Sequence, residues 1–355
     1  MANQTQSDSV PRADEPDERI RPALGHIGEV TEERLQFVKQ LGVDDVLVTP
    51  GEHTTYTANI DSEPEPTLST EGSLSFEELV VLRNRVEDAG LRLFGLESLP
   101  HGLIDLMIGE KSREEYLECM KTSVRNAGRA GIDVVGYSGP SPYGVWKTSR
   151  STRVRGNARA AAFDASQLEN APAAEDPYTE DEFWEAYEEF LEEILPVAEE
   201  NGVAICLHPN DPPVEEIGGY PMPFRSFERV RHAIELLPSD NHQLKLGMGC
   251  FSEMGEDIHE VIRYFGGDKI AYIHFRDVVG TLPEYYETFL DDEESNYDEY
   301  EVIQTLQEVG FTGVLTCDHV PLMGDEEDWL CGGYRGRAYT VGYIKGMLKA
   351  LYSET

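Results

Sequence analysis

The sequence predicts an α/β fold, a closed (β/α)8 TIM barrel with long loops after its fourth and seventh strands. Three observations predict it. Short apolar runs alternate with amphipathic helical patterns along the chain, which implies βαβ units and a parallel sheet. Eight such units fit the length of one barrel, and no break in composition marks a second domain. The last four apolar runs each open into a potential metal ligand, as strand ends do at a barrel mouth. An open doubly wound sheet is the alternative.

The elements follow in order. Residues 1–20 are polar and acidic and read as a disordered tail, leaving 21–355 as the barrel domain. Ile20 to Ile27 is the first strand. Thr31 caps a helix with acids in its first turn, running to about Leu41. Asp45 to Pro50 is the second strand. A helix from Phe76 to Ala89 stops at Gly90, and Leu91 to Glu97 is the third strand. A helix from Ser112 to Ala130 stops at Gly131, and Val134 to Tyr137 is the fourth strand. Residues 138–180 form a long excursion of the kind that is usually functional. Thr179 then caps an acidic amphipathic helix to Glu200, and Val203 to Leu207 is the fifth strand. Helix Phe227 to Leu237 leads to the sixth strand, Leu244 to Met248. Helix Ile258 to Phe265 leads to the seventh, Ile270 to Phe275. An acidic excursion, 280–297, precedes helix Tyr300 to Val309 and the eighth strand, Gly313 to Cys317. Arg337 to Tyr352 is the closing helix.

Charge narrows the function classes. The formal net charge is −39, and only 8 of the 29 basic residues are lysines. Nucleic acids and anionic membranes require a basic footprint, so neither is an expected partner. Carboxylates in such excess repel one another in dilute buffer and are screened at high salt, which reads as a halophile's surface. Charges interrupt the longer apolar runs, so no membrane span is expected, and Met1 to Arg21 lacks the apolar core of a signal peptide. A cytoplasmic protein is expected, and a homo-oligomer. Five unpaired cysteines fit that compartment. Cys206 and Cys317 lie within apolar runs and read as inert core, whereas Cys250 ends its run.

His208, Cys250, His274 and Asp318 would line one side of the mouth, at the ends of strands five to eight. Imidazole, thiolate and carboxylate together suit a transition metal rather than Ca²⁺. His319 and Tyr334 follow strand eight and are the candidate acid–base pair; His319 could instead orient Asp318, and Tyr334 could be a packing residue at a helix start. Arg276 could clamp a substrate carboxylate or simply pair with one of many nearby acids. Asp211 could support the site or only form a turn before proline.

His208-Pro209-Asn210-Asp211-Pro212-Pro213, His274-Phe275-Arg276-Asp277-Val278, Asp318-His319 and Gly333-Tyr334 with Gly336-Arg337 resemble the motifs of the D-mannonate dehydratase family, within the xylose-isomerase-like barrels. Glu97-Ser98-Leu99-Pro100 and residues 149–164, with Arg150 and Arg153, extend the resemblance over roughly 20–350. It implies Mn²⁺ or Fe²⁺ held by His208, Cys250, His274 and Asp318. It also implies a sugar-acid substrate contacted by Arg276, Asp211 and Arg337, and conversion of D-mannonate to 2-dehydro-3-deoxy-D-gluconate and water. The chain departs after Pro100, where the family's His-Glu pair and downstream lysine give way to His101-Gly102-Leu103, and at Thr49-Pro50-Gly51-Glu52-His53. Both departures fall on the substrate side. A sugar isomerase or epimerase on the same barrel is the alternative function, and a structural metal site or sugar-binding protein is a third.

Overall fold

The structure, a computed structural model, describes residues 19–50, 72–328 and 331–353. Most of the expected tail, and Gly51, Glu52 and His53, lie outside the described residues. The elements run β1 (Arg21–Ile27), α1 (Glu32–Leu41), β2 (Asp45–Val48), α2 (Phe76–Asp88), β3 (Arg92–Leu96), α3 (Leu103–Ile108), α4 (Arg113–Arg129) and β4 (Val134–Ser138). Then come β5 (Ser149–Arg153), β6 (Arg159–Asp164), α5 (Glu180–Asn201), β7 (Ala204–His208), β8 (Glu216–Ile217), β9 (Tyr220–Pro221) and α6 (Phe227–Glu235). The chain closes with β10 (His242–Gly247), α7 (Met248–Met254), α8 (Ile258–Lys269), β11 (Ile270–Phe275), β12 (Val278–Thr281), β13 (Glu284–Glu287), α9 (Glu299–Glu308), β14 (Val314–Cys317) and α10 (Tyr334–Leu351).

Eight parallel strands close into a barrel in the order β1-β14-β11-β10-β7-β4-β3-β2. Neighbours in this ring follow chain order once the accessory strands are set aside, as expected when each crossover is a helix packed outside. The strands are mostly apolar on both faces because both are covered, with Lys245 of β10 and His274 of β11 among the buried exceptions. Their outward faces pack on the helices around residues such as Leu24, Val46, Ile205, Leu246 and Ile273. Ala23, Leu47, Cys206, Tyr272 and Val314 form a separate cluster. Burial pushes the Cys206 thiol up to about 12, the inert state expected of it. Ser75 with Glu78, Ser112 with Glu115 and Thr179 with Glu182 form reciprocal capping boxes that fix where α2, α4 and α5 begin.

Two expectations need correction. The sixth strand ends at Gly247 and α7 begins at Met248, so Cys250 stands in the first turn of a helix, not at a strand end. The excursions after the fourth and seventh barrel strands are not separate loops either. They pair as one antiparallel sheet in the order β12-β13-β6-β5. Tyr285 of β13 stands opposite Phe163 of β6, and their rings stack at 5.4 Å. That sheet brings Glu287, at the end of β13, to Arg276 and His319 beyond the barrel strand ends.

Candidate metal centre and cleft

Register places the strand ends in one layer. Ser138 pairs with His208, Gly247 with His274, and His274 with Thr316. His208, at the end of β7, faces Cys250: its Nε2 lies 3.9 Å from Sγ, while its Nδ1 is tied to the Pro209 carbonyl at 2.8 Å. His274, inside β11, faces Asp318 just beyond β14, with Nδ1 3.4 Å from Oδ1. The rings of His208 and His274 lie 5.1 Å apart. The four expected ligands thus lie as two pairs, His208 with Cys250 and His274 with Asp318. Glycine at 247 lets the backbone approach the first pair closely, since a Cβ there would sit 2.6 Å from His208 Nε2 and 3.1 Å from Cys250 Sγ.

The electrostatics suit a cation. Burial holds the His208 imidazole far below its usual pKa, so it stays neutral and keeps a lone pair. Burial would raise Asp318, but His319 and Arg276 beside it hold the carboxyl well below its ordinary range. Burial pushes the Cys250 thiol up, and the charges of Asp211 and Glu253 add to this. The thiol therefore gives up its proton only to a strong competitor such as a metal ion. The Nδ1 of buried His274 makes no hydrogen bond of ordinary geometry and meets Asp318 at 3.4 Å; burial would lower its pKa, but Glu97 and Asp318 outweigh burial and raise it. Clusters of candidate ligands occur around it, among them His26, Glu97 and His274. Imidazole, thiolate and carboxylate donors together suit a divalent transition metal.

Beside this centre lies a buried charged network. Arg276 reaches Asp318 at 3.1 Å, Glu287 at 2.6 Å, and Asp211 and Glu253 at 3.1 Å each. Lys147, from the excursion after β4, reaches Asp211 at 2.7 Å and Glu253 and Glu287 at 3.3 Å with its side chain fully buried. His319 Nδ1 is 2.6 Å from Glu287. Four carboxylates thus face two permanent cations. Glu253 yields: burial and the nearby Asp211 push it up to about 7, whereas Lys147 and Arg276 outweigh burial and pull Asp211 down to about 2. Burial would lower His319, but Glu287 and Asp318 hold it well above its usual value.

A cleft of about 340 Å³ opens at the mouth. His26, Glu97, His208, Asp211, Lys245 and His319 bring titratable groups to its wall, and Ser98, Ser138 and Asn210 add polar ones. Of the four expected ligands only His208 lines this cleft, and three further expected site residues are placed differently. Arg276 is spent on four carboxylates and is 2% exposed, so it is not available as a substrate clamp. Arg337 is fully buried outside the cleft, donating to the Gly25 carbonyl at 3.0 Å. Tyr334 packs edge-on against Phe37 of α1 at 4.7 Å and does not line the cleft. Asp211 does line it, and also carries Lys147 and Arg276. Sequence reading missed Lys147, Lys245, Glu253 and Glu287. Lys245 left a trace, as a lysine inside the apolar run Leu244-Lys245-Leu246; Lys147, in a polar excursion, left none.

Comparison with known proteins agrees with the barrel fold. The sequence model of the D-mannonate dehydratase family matches residues 28–177 and 173–355. Mannonate dehydratase 2 of Halalkalibacterium halodurans is 27% identical over 306 residues, covering 78% of this chain and 88% of that protein. The Thermotoga maritima mannonate dehydratase is 26% identical over 311 residues, covering 78% and 86%. The crystal structure of mannonate dehydratase from Streptococcus suis serotype 2 superposes with a TM-score of 0.80 at 25% identity, covering 94% of this chain and 93% of that one. A structure of L-ribulose 3-epimerase, at 14% identity and a TM-score of 0.57, shares the barrel fold. With the family match spanning nearly the whole described barrel, the chain belongs to the D-mannonate dehydratase family, a family of hydro-lyases.

Proposed function

We propose that the protein eliminates water from D-mannonate to give 2-dehydro-3-deoxy-D-gluconate, using Mn²⁺ or Fe²⁺ held by His208, Cys250, His274 and Asp318. The observation that carries this is the pairing of His208 with Cys250 and of His274 with Asp318, the two histidine rings lying 5.1 Å apart. In the reaction C2 gives up a proton and C3 loses its hydroxyl, which departs as water once protonated. When bound, the cation would stabilise the negative charge that develops on the sugar acid as C2 is deprotonated. The protein does the rest. Glu287 fixes His319 through Nδ1 and leaves Nε2 as the atom that moves a proton at the cleft wall. Arg276 and Lys147 hold Asp211, Glu253 and Glu287 in place without touching substrate.

Burial of Arg276, Lys147 and their carboxylate partners strengthens each electrostatic contact among them. No helix among the described residues is long and apolar enough to cross a membrane. With a net charge of −39, this supports a cytoplasmic enzyme of a salt-rich cell acting on a small sugar acid. The test is incubation with D-mannonate and other aldonates in high salt with Mn²⁺ or Fe²⁺, detecting 2-keto-3-deoxy acids. If no aldonate reacts while a ketose is epimerised, the function moves to the sugar isomerase or epimerase class.

A further inference from the structure

Below the metal centre the barrel interior is polar where such interiors are usually filled by branched apolar side chains. Glu97, Tyr272 and Lys245 meet there, at 2%, 0% and 4% exposure. Glu97 Oε2 accepts from the Tyr272 hydroxyl at 2.9 Å and lies 3.6 Å from Lys245 Nζ, which also donates to the Glu97 carbonyl at 2.8 Å. The same Oε2 is 2.9 Å from His274 Nε2. Gly25 makes room for the other oxygen, since a Cβ there would sit 2.6 Å from Glu97 Oε1.

A carboxylate can only accept hydrogen bonds, so His274 must donate to it from Nε2. A neutral imidazole protonated at Nε2 carries its lone pair on Nδ1, the atom that faces Asp318 at 3.4 Å without a hydrogen-bond partner. We infer that Glu97 is a positioning residue: it selects the imidazole nitrogen that His274 presents to the metal, and Tyr272 and Lys245 hold Glu97 for that task. The inference rests on the metal reading proposed above. Ligating histidines generally need such a partner on the second nitrogen, and its loss typically weakens metal binding about 10–100-fold. Direct ligation by Glu97 is the competing account, because His26, Glu97 and His274 also cluster closely enough to share an ion. Oε2 of Glu97 is already taken by the Tyr272 hydroxyl and by His274 Nε2, and the two accounts part in the Glu97→Gln variant below.

The experiment is titration of the intact protein with Mn²⁺, following free Mn²⁺ by electron paramagnetic resonance. Glu97→Leu removes the acceptor and should weaken binding about 10–100-fold. Glu97→Gln keeps a side-chain oxygen for Nε2–H and should stay within about threefold of wild type. Tyr272→Phe removes only the supporting hydroxyl and should fall between them. As a readout independent of affinity, the ¹⁵N spectrum of the zinc-loaded protein, assigned with His274→Gln, should show His274 protonated at Nε2. Unchanged affinity in Glu97→Leu, a loss in Glu97→Gln as large as in Glu97→Leu, or protonation of His274 at Nδ1 would each overturn the inference. Loss of Mn²⁺ in His208→Ala but not in Glu97→Leu overturns the positioning role alone. Wild-type binding in His208→Ala overturns the metal reading and this inference with it.

Discussion

Gly247→Ala is the smallest change that probes the centre directly. Gly247 has φ −81 and ψ 90, a conformation open to alanine, so the backbone gives no reason for glycine. Space does. The new methyl would stand 2.6 Å from His208 Nε2, and ordinary contact begins near 3.4 Å, so the two must separate by 3.4 − 2.6 = 0.8 Å. His208 cannot swing aside cheaply, because its Nδ1 is tied to the Pro209 carbonyl and its ring lies against His274. A displacement of this size is several times the roughly 0.2 Å tolerance of a metal–ligand distance. Overpacking of this kind costs about 1–3 kcal/mol of stability. The variant should therefore fold with a lowered melting temperature, bind Mn²⁺ at least ~10²-fold more weakly, and lose dehydratase activity unless Mn²⁺ is raised. Calorimetric Mn²⁺ titration together with activity at two Mn²⁺ concentrations measures both effects. Mn²⁺ affinity within threefold of wild type would refute the assignment of this space to the metal.

His319→Asn should lower kcat by about 10²–10⁴-fold with Mn²⁺ still bound, and loss of Mn²⁺ instead would make His319 a support for Asp318. Tyr334→Phe should leave kcat within about threefold, given its packing on Phe37; a fall of 10²-fold or more would show that Tyr334 reaches the cleft during turnover. Burial, with Asp277 and Asp298 nearby, pushes the Glu299 carboxyl up to about 8. The folded protein then keeps a proton that the unfolded chain loses near 4.5, so this group costs stability progressively as pH rises between those values. Glu299→Gln should thus match wild type at pH 4 and melt higher at pH 8; an equal offset at both pH values would refute the burial argument. Finally, the −39 charge predicts a melting temperature that rises from dilute buffer to multimolar KCl, and equal values would end the high-salt reading.

The sequence by itself determined the barrel and the family, and it named the residues proposed here as ligands. Strand and helix periods are local, and the capping boxes at Ser75, Ser112 and Thr179 need only four consecutive residues to be read. Once eight parallel strands close, chain order brings the ends of β7, β10, β11 and β14 side by side, and with them the pairs His208–Cys250 and His274–Asp318. The tertiary structure decided what depends on contacts distant in sequence. It brought Lys147 against Glu253, 106 residues away, and Glu97 against His274, 177 residues away. It joined two polar excursions into one sheet, because β6 and β13 lie far apart in sequence and become partners only through the arrangement of the barrel. It also set which cations were free. Arg276, beside a ligand in sequence, is saturated by carboxylates that no local pattern assigns to it, and Tyr334 and Arg337 turn away from the cleft because α10 packs on β1 and α1. A side chain's chemistry is written in the sequence, but its availability depends on which partners the fold has already given it.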